Sequence, residues 1–374
     1  MKNLSFRLEV WSLSVVAAAA FTFALSKGRV VVEVNATPQF SGMFVFGDSV
    51  VDNGNNNYLT SIAKANYAPY GVDFIQGPTG RFSNGKTFID CLADLLGLPY
   101  IPPFASPFAI GREILSGINY ASASAGILDE TGQSLGERFS LSRQVENFEG
   151  TRNQLKEQMS EKELHGHLAN SLVVMILGSN DYINNYLLPS LYPTSYIYNP
   201  KDYADLLIQH YSTQILALYS LGLRKFFLAG IGPLGCIPNQ RASGAAPPGK
   251  CVSLVNDMVV MFNSRLRSLV DQLNSNHSDA VFLFGNSYDA CMDILNNAAH
   301  YGFSVVDRGC CGLGRNQGQI TCLPLSVPCE KRDDFVFWDA FHPTQAVNQI
   351  LALRAYKGPI SYSYPLSLHQ LART

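Results

Sequence analysis

The sequence predicts an α/β fold, a single domain built on a doubly wound, mostly parallel, five-stranded sheet flanked by helices. Three observations predict it. Five short apolar runs are continuous rather than alternating, as strands buried on both faces are. Between them lie stripes of apolar residues at helical spacing. The 374 residues are 47% hydrophobic and only 15% charged, which supplies a large core and excludes a disordered, collagen-like or coiled-coil chain.

In order along the chain, the strand-length runs cover 43–46, 118–121, 172–177, 226–229 and 281–284. After the third, Asn199-Pro200 gives a helix start signal. Leu207, Tyr211, Ile215 and Leu218 then recur on one face until Gly222 ends the pattern. Val255, Met258, Val259, Phe262, Leu266, Leu269 and Leu273 form a second stripe before the last run. Both stripes read as core packing. Repeated strand-helix-strand units without an internal sequence repeat place these elements in one sheet.

The N-terminus reads as a secretory leader. Lys2 and Arg7 precede an uncharged stretch over 10–26, rich in Ala and Val. At 17 residues it sits at the lower limit for spanning a bilayer, so cleavage is expected and stable membrane insertion is not. Small residues allow cutting after Ala36 or, as the alternative, after Ser26. The first leaves the shorter polar lead before the first strand, so the expected division is a signal peptide over 1–36 and a domain over 37–374. Lys and Arg number 27 against 29 Asp and Glu, leaving no basic excess for a phosphate backbone, so nucleic acid is not an expected partner. Nothing in the sequence points to an obligate protein partner either.

Secretion makes the eight cysteines, Cys91, Cys236, Cys251, Cys291, Cys310, Cys311, Cys322 and Cys329, read as a disulfide set. A zinc site is the poorer reading, because the cluster after Cys310 lacks paired C-x-x-C spacing. Cys236 with Cys251 is the expected local pair, and closing a loop of that size stabilises by about 3 kcal/mol in the chain-entropy model. The other pairings stay open. Asn276-His277-Ser278 is a glycosylation sequon, and Asn35-Ala36-Thr37 counts only if cleavage follows Ser26.

In an open α/β sheet, ligands bind beyond the carboxyl ends of the strands, so chemistry is sought directly after each run. Gly47-Asp48-Ser49 follows the first, Ser122 through Gly126 the second, and Gly178-Ser179-Asn180-Asp181 the third. Late in the chain, Asp339 stands three residues before His342. A hydroxyl nucleophile needs a base, an acid that orients the base, and donors for an oxyanion. Ser49, His342 and Asp339 fit the first three roles. The Ser49 and Gly126 amides with the Asn180 side chain fit the last. An Asp-x-x-His step on a helical turn would set both side chains on one face. Each residue alone has an ordinary reading as a cap or turn former, and the agreement of four strand ends is what raises the set. Gly132-Gln133-Ser134-Leu135-Gly136 mimics a nucleophile elbow, but Asp129 and Glu130 stand where that motif needs a strand, so Ser134 reads as a loop residue.

The segments 46–57, 119–126, 178–181 and 338–343 resemble, in this order, the four blocks of the plant GDSL esterase/lipase family within the SGNH hydrolases. The segments 80–85 and 232–236 are also similar to plant members. This resemblance, running from Phe46 to Pro343, implies a flavodoxin-like sheet and ester hydrolysis with no metal or organic cofactor. It also implies export to the plant cell wall or apoplast, and catalytic roles for Ser49, Gly126, Asn180, Asp339 and His342. Val50 stands where the family name has Leu, and the turn 122–126 carries fewer glycines than many members. Gly126 is expected to be the donor because an outward-facing amide often needs a positive φ.

The function read from the sequence is therefore a secreted serine esterase acting on carboxylic esters, acyl lipids in particular. The aromatic and Pro-rich stretches 58–74 and 100–108 are candidates for an apolar acyl groove. An extracellular acyltransferase would use the same triad with an alcohol in place of water, and a binding protein with an idle site is the reading from another class.

Overall fold

The computed structural model describes residues 38–374, so the expected leader and the sequon at Asn35 lie outside the described residues. Seven strands follow in chain order: β1 (Met43–Gly47), β2 (Leu172–Ile176), β3 (Lys225–Ala229), β4 (Val281–Gly285), β5 (Val305–Gly309), β6 (Phe335–Phe337) and β7 (Ser363–Tyr364). The main sheet has the order β1-β2-β3-β4-β7. Its first four strands are parallel and in step: Gly47 pairs with Ile176, Ile176 with Ala229, and Ala229 with Gly285. Their carboxyl ends are therefore level, and β7 closes the far edge antiparallel to β4.

The five-stranded, mostly parallel sheet agrees with the sequence reading, but its fifth strand is β7 rather than 118–121. That run flanks the free edge of β1 instead: the Val45 N–H donates to Ile118 at 3.0 Å and the Tyr120 N–H to Val45 at 2.7 Å. It stops short of a full strand because its remaining groups turn elsewhere. The Asn119 N–H bonds Pro102, and the Asn119 side chain takes the Ala121 N–H at 2.9 Å. The chain thus leaves β1 to one side and crosses back to β2 on the other, which makes the β1/β2 junction the topological switch point, where such folds bind ligands.

Burial on both sides explains why the runs do not alternate. Phe44, Phe46, Val173, Met175, Phe226, Leu228 and Phe282 face one core with the helices Leu141–Lys156, Pro200–Ser220 and Ser253–Asn276. Met43, Val45, Leu172, Val174, Phe227 and Leu283 face the other, under Phe88–Leu96 and Gln345–Lys357. The predicted stripes hold. Leu207, Tyr211, Ile215 and Leu218 are fully buried, and the Asn199 side chain caps the N–H groups of Lys201 and Asp202. Of the second stripe, only Met258 is half-exposed.

The expected Cys236–Cys251 bond is present, together with Cys310–Cys329 and Cys311–Cys322. Cys91 and Cys291 correct the reading of all eight as paired: both are thiols on helices. Burial pushes the Cys91 thiol well above its ordinary range and that of Cys291 up to about 12, so neither is a reactive thiolate near neutral pH. The sequence also gave no sign of the small parallel sheet of β5 and β6. The two bonds after Cys310 staple its connecting loop against Trp338 and Tyr70. Among the described residues no helix is long and apolar enough to cross a membrane.

Candidate active site

The site begins where β1 ends. Gly47 is required there because a Cβ would lie 2.4 Å from Val51 Cγ2 and 2.7 Å from the Ile176 carbonyl. The Gln144 side chain grips both its N–H and its carbonyl at 2.8 Å. Beyond it the backbone turns at once, as the Asp48 carbonyl accepts the N–H of Val51 and Asp52 and its carboxylate accepts that of Val50. Ser49 is left half-buried at the rim of the sheet, with its own N–H unpartnered among the described residues. Burial pushes the Asp48 carboxyl up to about 7.

From the end of β6 comes the other half. His342 Nε2 lies 2.7 Å from Ser49 Oγ, and Nδ1 lies 2.9 Å from each carboxylate oxygen of Asp339. The segment carrying them is a bend rather than the expected helical turn. Asp339 builds it by accepting the N–H of Phe341 at 2.9 Å and of His342 at 2.8 Å, and the Trp338 N–H closes it onto the His342 carbonyl. Burial alone would raise the Asp339 carboxyl. The His342 ring, the Tyr70 hydroxyl and the Phe341 N–H outweigh it and hold the group below its ordinary range, so it stays an anion.

Asn180 meets the turn that carries Gly126. The Asn180 Nδ2 donates to the Ala125 carbonyl at 2.9 Å, which leaves its second hydrogen free, while Asn184 Nδ2 fixes the Asn180 Oδ1 at 2.6 Å. The Ala125 N–H is spent on Ser122, whereas that of Gly126 has no partner among the described residues. The Gly126 N–H is thus free, but the positive φ expected there belongs to Ser124, at 66°. Glycine is needed at 126 because a Cβ would sit 2.4 Å from Thr131 Cγ2 and 2.6 Å from Asp181 Oδ1.

A family model for GDSL-like lipase/acylhydrolases matches residues 43–355, which spans every element of this site. The chain belongs to that family. Two GDSL esterase/lipases of Arabidopsis thaliana are 59% identical over 341 residues and 58% identical over 338, each alignment covering 90% of this chain and 89% and 90% of the relative. GDSL esterase/lipase 7 of the same plant is 49% identical over 340 residues, covering 90% of this chain and 93% of its own length. By family the chain is a carboxylic ester hydrolase.

Several residues of this GDSL hydrolase site escaped the sequence reading. Asp181 accepts the N–H of Ile127 and Leu128 and the Thr131 hydroxyl, so it clamps the turn that carries Gly126. Burial pushes its carboxyl up to about 6 against the pull of those donors. Asp52 ties the nucleophile segment to the same turn through the N–H groups of Gly54, Asn55 and Ala123. The Asp/Asn-rich run 52–57 was the visible signal for it. Tyr70 had no signal at all: it lies 269 residues from Asp339 in sequence and donates to its Oδ2 at 2.6 Å. Tyr70→Phe is expected to cost about 1.5–3 kcal/mol, the worth of a hydrogen bond to a charged group, read as a lower urea midpoint together with a reduced kcat.

Ser134 sits on a short 3₁₀ turn with no strand before it, its N–H bonded to Tyr192, as a loop residue should be. The aromatic stretches do not make one groove. Tyr70 and Phe74 are buried, Phe104 packs on Tyr120 and Phe139, and Tyr58 and Phe108 are exposed.

Proposed function

We propose that the protein hydrolyses carboxylic esters, acyl lipids in particular, through an acyl-enzyme on Ser49. The observation that carries this reading is the hydrogen-bonded chain from Ser49 through His342 to Asp339. Ser49 Oγ attacks the ester carbonyl carbon while its proton passes to His342 Nε2, and the carbonyl oxygen becomes the oxyanion. The Ser49 and Gly126 N–H groups and the free hydrogen of Asn180 receive it. Collapse breaks the bond to the alcohol oxygen, which takes the proton back from His342. Water then repeats the sequence on the acyl-enzyme and releases the carboxylic acid. Asp339 keeps the Nδ1 proton in place throughout, and no step calls for a metal or an organic cofactor.

Purified protein is expected to release p-nitrophenol from esters of several chain lengths; no release from any of them overturns the reading. Product analysis with added alcohols separates hydrolysis from acyl transfer, since the latter would yield a new ester. Asn180→Ala is expected to lower kcat about a hundredfold or more, equivalent to roughly 2.7–4 kcal/mol, with little change in KM. A turn former alone would lower stability and leave the rate per titrated Ser49 near normal.

The same reading places the protein outside the cell, with residues 1–36 removed and a glycan on Asn276. The leader pattern and the three disulfides support it. So does the exposure of Asn276 at the end of its helix. N-terminal sequencing is expected to begin at Thr37, and Asn276→Gln is expected to remove a glycosidase-sensitive mass shift.

A further inference from the structure

A cavity of about 150 Å³ opens beyond the carboxyl ends of β2, β3 and β4, on the side of the switch point away from the turn 122–126. Val50, Ser179, Phe341 and Pro343 line it. Val50 adjoins Ser49 in the chain, Ser179 adjoins Asn180, and Phe341 and Pro343 flank His342, so one wall is built from the residues next to the reacting centre. The remaining wall is largely apolar: Ile231, Leu234 and Ile237 come from the segment after β3, and Ala290, Ile294 and Leu295 from the helix Ser287–Asn296. Of its polar members, Asn286 is engaged with Asp289 and Ser361, Arg354 and Tyr362 with Asp293, and Asn348 Nδ2 with the Lys86 carbonyl, while Asn348 Oδ1 and the Ser287 hydroxyl have no partner among the described residues.

We propose that this cavity is the acyl pocket and that it selects medium-length, unbranched acyl chains. The inference rests on the ester-hydrolase reading above and adds to it which half of the ester enters and how long it is. An alcohol bearing several hydroxyls would find few partners for them on these largely apolar walls beyond Asn348 Oδ1 and the Ser179 and Ser287 hydroxyls, a penalty that an alkyl chain does not meet. The chain on the attacked carbonyl therefore enters, and the alcohol departs on the open side. Length follows from volume. An apolar cavity of about 150 Å³ takes in benzene, so the pocket holds about six carbons. Each buried methylene is worth ~0.8 kcal/mol, or about fourfold in kcat/KM when fully buried.

The test uses the purified full chain and p-nitrophenyl acetate, butyrate, hexanoate, octanoate and decanoate. For the wild type, kcat/KM is expected to climb by up to about fourfold per methylene to about six carbons and then level off or fall. Two variants fill the pocket. Ala290→Leu keeps helix propensity, and Gly232→Val starts from a position whose Cβ would meet only Cys291 Sγ, at 3.8 Å. Each is expected to lower the hexanoate-to-acetate ratio by tenfold or more. That ratio is internal to each protein, so a reduced folded fraction cancels. An unchanged ratio in both variants, or a wild-type rate indifferent to chain length, overturns the pocket while leaving ester hydrolysis standing. A wild type that hydrolyses none of the esters and leaves Ser49 unlabelled by a fluorophosphonate overturns the underlying reading instead.

Discussion

Ser49→Ala is expected to abolish ester hydrolysis, with kcat reduced about 10⁶-fold as when the nucleophile of a triad is removed, while the melting temperature stays near that of the wild type. The asymmetry follows from the surroundings. Ser49 is half-buried at the rim of the sheet, and its hydroxyl bonds only the His342 ring. Its removal leaves no buried polar group stranded except Nε2, which water can reach. The scaffold of the turn comes from other residues, chiefly Gly47 under Gln144 and the Asp48 and Asp52 carboxylates. Ser134→Ala is the control. That residue stands in the only G-x-S-x-G segment of the chain, yet its partner is Tyr192 rather than a histidine. Normal turnover in Ser49→Ala with loss in Ser134→Ala would reverse the assignment; kcat and thermal unfolding of both variants decide it.

The parts of this site that the sequence made legible are those fixed by strand ends. A parallel strand buried on both faces must read as an apolar run, and whatever follows it emerges at the carboxyl edge. Ser49 and Asn180 were singled out in this way. What stayed hidden depends on contacts that no local pattern records. Tyr70 reaches Asp339 from a distant loop, and the Asp181 carboxylate holds a turn 50 to 54 residues away. The run 118–121 looked like a strand because its apolar residues are buried, but the Asn119 side chain takes over backbone bonds that a ladder would use. Asp339 misled in a related way: spacing of three suggested a helix, whereas its carboxylate folds the bend around itself. Gly126 was singled out for a positive φ that it does not have, since the crowding by Thr131 and Asp181 that requires glycine there leaves no trace in its own segment.

Asp339→Asn is expected to lower kcat about 10⁴-fold while leaving the fold intact, because the change alters a proton and not a shape. In the wild type one carboxylate oxygen accepts the N–H groups of Phe341 and His342, and the other accepts the Tyr70 hydroxyl. An asparagine can keep its oxygen on the two N–H groups. Its NH₂ then faces the Tyr70 oxygen and His342 Nδ1, and both can accept from it. The bend therefore survives, but Nδ1 becomes an acceptor and the ring proton moves to Nε2. Ser49 then faces a donor and has no base. In the wild type Asp339 is held anionic below the ordinary carboxylate range, so it contributes stability at neutral pH that is lost only as the pH falls through that depressed value. It does not titrate in the window where histidines do. Asp339→Asn retaining more than a tenth of wild-type kcat, with full titration of Ser49, would show that His342 takes its tautomer from another partner.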